Sequence, residues 1–337
     1  MTNIEKNSEY SVAIVGLGRI GLQMELDEKR VKPATHFGSY CHNPRISKLF
    51  LIDNDSETLD KARNAAEKLG VTKPIEFISD YSELHRIKPD ILVVATNPES
   101  HREILVFGVP FVKAIICEKP IATNVVDAEY MVDICEKYGV LLVMDYCRRF
   151  LPVIWQCKEM IESGVIGEVR HMSGLYTAGI MNSGSHLIDM LRCLNGNIKK
   201  INCSEKTGYS CPDGDVNLNA ILTFDNGSYG FLQSSEAKDY AIFDINVYGS
   251  KGMISISNFG FVATIKNAET CKTFGGYKEL SETKVIDNNS KVSMWGNLAS
   301  HVIECLDSGL KISDKSSGAD GFESVKLVLE LINRSEH

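Results

Sequence analysis

The chain has 337 residues, which at about 150 residues per domain points to two domains with room for a substantial core. Hydrophobic residues make up 44% and charged residues 24%, and 26 Gly against only 9 Pro exclude collagen-like and low-complexity chains. Thirty-six basic and 44 acidic side chains leave a net charge of −8, which argues against a nucleic-acid binder needing a basic face, and no uncharged apolar run of about 18 residues exists to span a membrane.

The opening MTNIEKNSEY is polar and lacks the apolar stretch of a secretory signal. The ten cysteines, at 41, 117, 135, 147, 157, 193, 203, 211, 271 and 305, include no CxxC pair. Metal and redox motifs need close paired thiolates, and disulfide frameworks belong to short secreted chains. Most of these thiols lie in apolar runs and read as small buried hydrophobes, so the expected location is the reducing cytoplasm.

Six short apolar runs lie in the first 145 residues: SVAIVG (11–16), KLFLID (48–53), IEFI (75–78), DILVVAT (90–96), KAIICEK (113–119) and VLLVMD (140–145). Helical patterns alternate with them, for example at 56–69 and 124–138. Continuous Val/Ile/Leu runs indicate strands buried on both faces, and strand–helix alternation indicates a parallel sheet. The prediction is an α/β Rossmann domain, a doubly wound parallel sheet, over residues 1–147. Beyond it the texture changes. Helices are expected at 152–163 and 184–194, then alternating strands at 216–224, 228–235, 241–248 and 253–257, and helices again at 297–306 and 321–333. Residues 148–337 therefore read as an α+β domain with an open-faced, mostly antiparallel sheet.

The first strand runs into Gly16-Leu17-Gly18-Arg19-Ile20-Gly21. Following a buried strand and preceding a second strand that ends in Asp53, this string has a specific use: Gly16 permits the turn, Gly18 admits a pyrophosphate, and Gly21 lets the next helix pack on the sheet. The phosphates are expected at that helix N-terminus, beside Arg19 and Ile20. Asp53 would accept the ribose hydroxyls and repel a 2′-phosphate, which favours NAD over NADP. Gly21 and Asp53 stand 32 residues apart, where the motif has about 20. The surplus, 24–35, carries Lys29, Arg30 and Lys32 and is either a solvated insertion or a basic flap over the cofactor phosphates.

After the fourth strand comes ATNPESH, with Thr96, Asn97 and His101, and after the fifth comes Glu118-Lys119-Pro120. Both fall at carboxyl ends of parallel strands, where α/β domains bind ligands. A lysine there can donate a proton or stabilise charge on a reacting oxygen, although position alone fits a surface ion pair equally well.

GLGRIG, ATNPESH, CEKPIA, MDYCRRFLP and GIMNSGSHLIDMLRCL, in that order, resemble the glucose-fructose oxidoreductase/inositol dehydrogenase (Gfo/Idh/MocA) family. The likeness extends through IESGVIGEV, TFDNGSYG and YGSKGMISI over nearly the whole chain. It implies hydride transfer between a nicotinamide and a secondary alcohol carbon of a sugar, nucleotide sugar or cyclitol. By that resemblance Thr96 and Asn97 bind the cofactor, His101 shapes the nicotinamide pocket or caps the next helix, Glu118 lies near the nicotinamide ribose, and Lys119 contacts the reacting hydroxyl beside a Lys-Pro bond that is cis in many relatives. His186 matches the histidine of the family's D-x-x-x-H element, but Asn182 stands at its aspartate. Asparagine keeps hydrogen-bonding geometry without the charge, so His186 is expected to titrate nearer the unperturbed value of about 6.5 and to serve as the base.

Arg148 and Arg149 match the family's Arg-Phe-x-Pro segment and would bind a carboxylate or diphosphate, or form a salt bridge. Tyr176 would touch a sugar face or pack within its strand. The other histidines, His36 among them, show no metal-ligand spacing, and no metal is expected. The alternating strands of 216–257 leave a sheet face for self-association, as a homo-dimer or homo-tetramer. Two alternatives stand beside the dehydrogenase: a non-catalytic nicotinamide-binding sensor, and an enzyme that recycles a tightly bound NAD. If 24–35 is a flap, Lys29→Ala/Arg30→Ala/Lys32→Ala weakens dinucleotide binding in a fluorescence titration; unchanged affinity for both NADH and NADPH rules the flap out.

Overall fold

The computed structural model describes residues 9–288 and 291–336. Its first stretch contains β1 (Tyr10–Val15), α1 (His36–Cys41), β2 (Ile46–Ile52), α2 (Ser56–Lys68), β3 (Ile75–Ile78), α3 (Leu84–Ile87), β4 (Ile91–Val94), α4 (Pro98–Gly108), β5 (Ala114–Cys117), α5 (Val125–Tyr138) and β6 (Leu141–Met144). The six strands are parallel, in the order β3-β2-β1-β4-β5-β6. That order places the topological switch between β1 and β4, with the Gly-rich loop and residues 95–97 at its mouth. Each predicted run forms its strand, and β4, β5 and β6 are buried throughout, as continuous apolar strands require.

The first crossover departs from expectation. Behind the Gly-rich loop the chain makes only one 3₁₀ turn, Gln23–Leu26, before the surplus segment intervenes, and α1 is six residues long. The N–H groups of His36 and Phe37 donate to the carbonyls of Ile20 and Gly21 at 3.1 and 3.0 Å. So α1 resumes the turn begun at Gly18, and 22–35 is looped out of an interrupted helix. The loop is held from within: the buried Glu25 carboxylate accepts from the Ala34 N–H at 2.8 Å and the Thr35 hydroxyl at 2.9 Å. The Lys32 ammonium donates to the carbonyls of Met24, Glu25 and Asp27.

The second stretch contains α6 (Pro152–Glu162), β7 (Val169–Tyr176), α7 (Ser185–Asn195), β8 (Ile198–Lys206), β9 (Leu218–Phe224), β10 (Tyr229–Ser234), β11 (Phe243–Gly249), β12 (Gly252–Ser257), β13 (Val262–Thr270), β14 (Lys278–Leu280) and β15 (Lys284–Asn288). The strands run in the order β14-β13-β12-β11-β7-β10-β9-β8, with β15 paired to β13. Every pairing is antiparallel except β7 with β10. The alternating strands predicted from sequence are β9 to β12; β8, β14 and β15 escape that reading because they are polar and mostly exposed. The apolar α7, buried from Leu187 to Leu194, packs against β7 and α6 and covers one face.

The chain then forms α8 (Met294–Ser308) and α9 (Gly318–Arg334). Here the domain boundary differs from the predicted 147/148 division. The chain forms two compact units: Met1–Phe150 with Ser293–Val325, and Leu151–Val292 with Lys326–His337. Leu298, Ala299, Val302, Ile303 and Cys305 of α8 join Val12, Ile14, Leu49, Leu51 and Phe37 in one core. Asp307 fixes the helix end, accepting from Arg45 at 2.9 and 2.7 Å and from the Tyr10 hydroxyl at 2.8 Å. The physical reason is cover: a six-residue α1 cannot shield a parallel sheet that must be buried on both faces, and α8 completes the layer. Among the described residues no helix is long and apolar enough to cross a membrane. Leu298→Ala is expected to cost about 2–5 kcal/mol by urea denaturation; a cost of a few tenths would remove α8 from the core of the first unit.

Candidate active site

The Gly-rich loop has the shape its residues suggest. Gly16 has φ of 93°, and a Cβ there would lie 2.6 Å from the Ala95 carbonyl oxygen. A Cβ on Gly21 would strike the Gly16 carbonyl oxygen, whereas one on Gly18 would meet nothing within 4 Å. Only the middle glycine faces open space, as a loop that admits a pyrophosphate requires. Arg19 is exposed and Ile20 partly so. The Asp53 carboxylate, just past β2, accepts from the Leu17 N–H at 2.8 Å and the Asp55 N–H at 3.1 Å. It therefore ties the second strand to the glycine loop, and its remaining lone pairs suit ribose hydroxyls. On these grounds the residues fit a dinucleotide.

The ends of β4 and β5 are strapped together by His101. This ring is fully buried; Nε2 faces the Thr96 carbonyl at 3.1 Å, and Nδ1 faces the Pro120 and Ile121 carbonyls at 3.1 and 3.2 Å. Acceptors on both sides favour an imidazolium, but burial opposes it more strongly and holds the ring below its ordinary value. Thr96 accepts from the Ser100 hydroxyl at 2.8 Å, and Asn97 precedes α4 with its side chain exposed. The Lys119–Pro120 peptide is cis. Burial pulls Lys119 below the usual ammonium range, opposed by the nearby Glu118 charge.

Glu118 sits in a cluster that the linear sequence does not reveal. His36 Nε2 lies 2.9 Å from Glu118 Oε1 and 3.4 Å from Asp145 Oδ2, and the Trp295 indole N–H donates to Asp145 Oδ2 at 3.0 Å. The Lys119 backbone N–H donates to Glu118 Oε2 at 3.3 Å. His36 and Asp145 side chains are each 2% exposed. Among the described residues this is the one group of His, Asp, Glu and Cys whose polar atoms lie close enough together for a small cation. Burial first, then the Glu118 charge, pushes Asp145 well above the carboxylate range; burial also raises Glu118 and lowers His36. His36 shows no ligand spacing in sequence because its partners lie 82 and 109 positions away in the chain.

Two expected substrate residues are placed otherwise. Arg149 is buried, donating to the Lys315 carbonyl at 2.8 Å and to Asp320 at 3.1 Å. It anchors the returning C-terminal segment within the first unit rather than facing a ligand, so the salt bridge replaces the expected substrate contact. Tyr176 is fully buried; its hydroxyl donates to the Leu218 carbonyl at 3.0 Å and accepts from the Leu218 N–H at 2.8 Å. It is a packed strand tyrosine, not a sugar platform, because both hydrogen-bonding directions are taken by β9.

In the second unit, His186 occupies the first turn of α7, after a wide π-type turn over Gly179–Gly184. Asn182 is exposed on that turn, its amide donating to the Ala178 carbonyl at 3.2 Å. A carboxylate does reach this turn, from a residue the sequence reading passed over. Asp215 accepts from the backbone N–H groups of Met181 at 3.1 Å, Asn182 at 3.2 Å and Val216 at 2.7 Å. A Cβ on Gly179 would collide with that carboxylate.

A doubly wound sheet with an open-centred glycine loop, a ribose-type aspartate and a half-buried lysine after β5 fits a nicotinamide-dinucleotide oxidoreductase. Family profiles agree: the oxidoreductase family, NAD-binding Rossmann fold, matches residues 10–146, and the GFO/IDH/MocA C-terminal domain matches 175–255. The chain belongs to the Gfo/Idh/MocA family of NAD(P)-dependent oxidoreductases. It is 26% identical over 278 residues to a myo-inositol 2-dehydrogenase from Thermotoga maritima, covering 73% of this chain and 75% of that one. It is 24% identical over 302 residues to a D-apiose dehydrogenase from Paraburkholderia graminis, covering 82% and 78%. The fold matches the WlbA dehydrogenase from Bordetella pertussis, solved with NADH and UDP-GlcNAcA, at a TM-score of 0.75 and 19% identity, over 97% of each chain.

His101 gives a pH test. Its folded pKa is depressed, so the unfolded chain takes up a proton below about 6.5 while the folded ring does not. Stability held above pH 6.5 is then lost as pH falls. Relative to His101→Gln, wild type should lose about 1.4 kcal/mol between pH 7.5 and 5.5 in urea denaturation. A difference that instead grows in favour of wild type as pH falls would mean the ring is an imidazolium held by carbonyls on both sides.

Proposed function

We propose that the protein is an NAD-dependent dehydrogenase acting on a secondary alcohol carbon of a sugar, nucleotide sugar or cyclitol. The observation that carries this reading is Lys119: a half-buried lysine just past the carboxyl end of β5, with its ammonium destabilised by desolvation. Gly16, Gly18, Arg19, Ile20 and Gly21 hold the pyrophosphate, and Asp53 takes the ribose and disfavours NADP. Thr96, Asn97, His101 and Glu118 frame the nicotinamide end. NAD, when bound, supplies the hydride acceptor for alcohol oxidation. His186 takes the hydroxyl proton as a neutral imidazole, Lys119 stabilises the developing alkoxide, and Asn182 orients the substrate by hydrogen bonds. The inositol and apiose relatives support a polyol or sugar over a simple alcohol.

We also place the enzyme in the cytoplasm, supported by seven of its ten cysteines being buried as small apolar groups. A second copy is proposed to cover the open sheet face, where His171 stacks on Tyr248 at 4.6 Å and meets Phe231 edge-on at 6.0 Å. Ile221 and Tyr229 expose 39% and 51% on neighbouring strands, apolar area that a dimer or tetramer would bury.

The test is NADH production from a panel of sugars, sugar acids, cyclitols and nucleotide sugars. Lys119→Ala and His186→Ala should each lose about 100-fold or more in turnover, with NADH binding retained by fluorescence titration. Full activity in either variant on the true substrate removes its catalytic role. Oxidation only by co-purified cofactor, with no net NADH, would replace the simple dehydrogenase with a recycled-cofactor enzyme.

A further inference from the structure

We propose that Asp145 is a neutral carboxylic acid that donates its proton to the Glu118 carboxylate, and that with His36 it is the positioning group that keeps Glu118 ionised. The argument begins from a count of donors. A neutral His36 carries one proton on Nε2, and the nearer acceptor is Glu118 Oε1 at 2.9 Å rather than Asp145 Oδ2 at 3.4 Å. The Lys119 backbone N–H takes Glu118 Oε2. Glu118 thus accepts on both oxygens, which suits the ionised form. Asp145 has one protein donor, the Trp295 indole, and that goes to Oδ2. Its other oxygen, Oδ1, is buried and accepts no hydrogen bond among the described residues.

A buried, undonated carboxylate oxygen beside a second carboxylate is costly, and two such groups within hydrogen-bond reach cannot both ionise. Glu118 and Asp145 lie against the same His36 nitrogen, at 2.9 and 3.4 Å, with their facing oxygens within 4.8 Å of each other. A proton on Asp145 removes the repulsion and turns the orphan acceptor into a donor. The other polar groups facing the pair fit this state. The Tyr40 hydroxyl from α1 is fully buried, and burial holds it protonated. The Cys147 thiol, after β6, is pushed up to about 12 by burial and so is neutral. Lys119 is the cation whose charge favours the single remaining negative charge, on Glu118.

The consequence for cofactor binding rests on the reading above that Glu118 meets the nicotinamide ribose: an ionised Glu118, braced by three donors, presents fixed lone pairs to hydroxyl donors. Asparagine is the discriminating substitution, because it is uncharged like the protonated acid and offers a donor in its place. Infrared difference spectra of wild type minus Asp145→Asn at pH 7 should show the carbonyl stretch of a neutral carboxylic acid. Asp145→Asn should bind NADH within about threefold of wild type, whereas Asp145→Leu, which fills the space without a donor, should weaken it about tenfold or more. Cooperative urea transitions in both variants establish that they fold. Absence of the neutral-acid band overturns the proposal, as does an asparagine variant as damaging as leucine. A divalent cation recovered at one per chain in wild type and lost in Asp145→Asn overturns it too, by making a metal rather than a proton the compensating charge. Glu118→Gln separates the two readings: if it binds NADH normally while the band is present, the shared proton stands and the cofactor contact of Glu118 falls.

Discussion

The carboxylate of Glu118 is the constraint on which the first unit is built. It lies at the mouth of the parallel sheet, nearly dry, and burial of a carboxylate is tolerated only when donors surround it. Those donors come from segments far apart in sequence: His36 from α1, the Lys119 backbone from the loop after β5, and Asp145 from the end of β6, itself braced by Trp295 of α8. Each segment has its own packing reason to be there. The polar knot adds direction, because a hydrogen bond fixes an angle that apolar contact leaves open.

This constraint makes sense of the interrupted first helix. A loop of some fourteen residues splits the crossover after Gly21, and an insertion there would ordinarily displace whatever follows. Instead α1 returns to the carbonyls of Ile20 and Gly21 and delivers His36 to Glu118. The loop closes on itself through Glu25 and Lys32, so its backbone groups are satisfied locally. What the short helix leaves uncovered, α8 covers, and the same helix brings Trp295 to the knot. Insertion, returning segment and buried acid pair are thus one structural solution.

Much of the site was legible. The glycine loop, Asp53, the two strand-end loops and the first turn of α7 all carry residue types whose chemistry is local: a glycine that needs a positive φ, a lysine at a strand end, a histidine at a helix start. Arg149 and Tyr176 stayed open between two readings for the opposite reason. An arginine pair beside a domain junction and a tyrosine on a strand are compatible with ligand or with packing, and only their partners, Asp320 and Leu218, decide. Asp215 and Asp145 went unnoticed because an isolated aspartate has no sequence signature. Their importance comes from the backbone N–H groups and the second carboxylate that the fold brings to them.

By itself the sequence determined the doubly wound sheet, the alternating second sheet and the dinucleotide chemistry, because apolar periodicity and turn residues act over neighbours in the chain. Only the tertiary structure decided where the first unit ends, which arginine is an anchor, and which carboxyl group holds a proton. Those outcomes depend on desolvation and on contacts between residues a hundred or more positions apart. No local pattern encodes them, since the energy of a buried charge is set by what surrounds it in space.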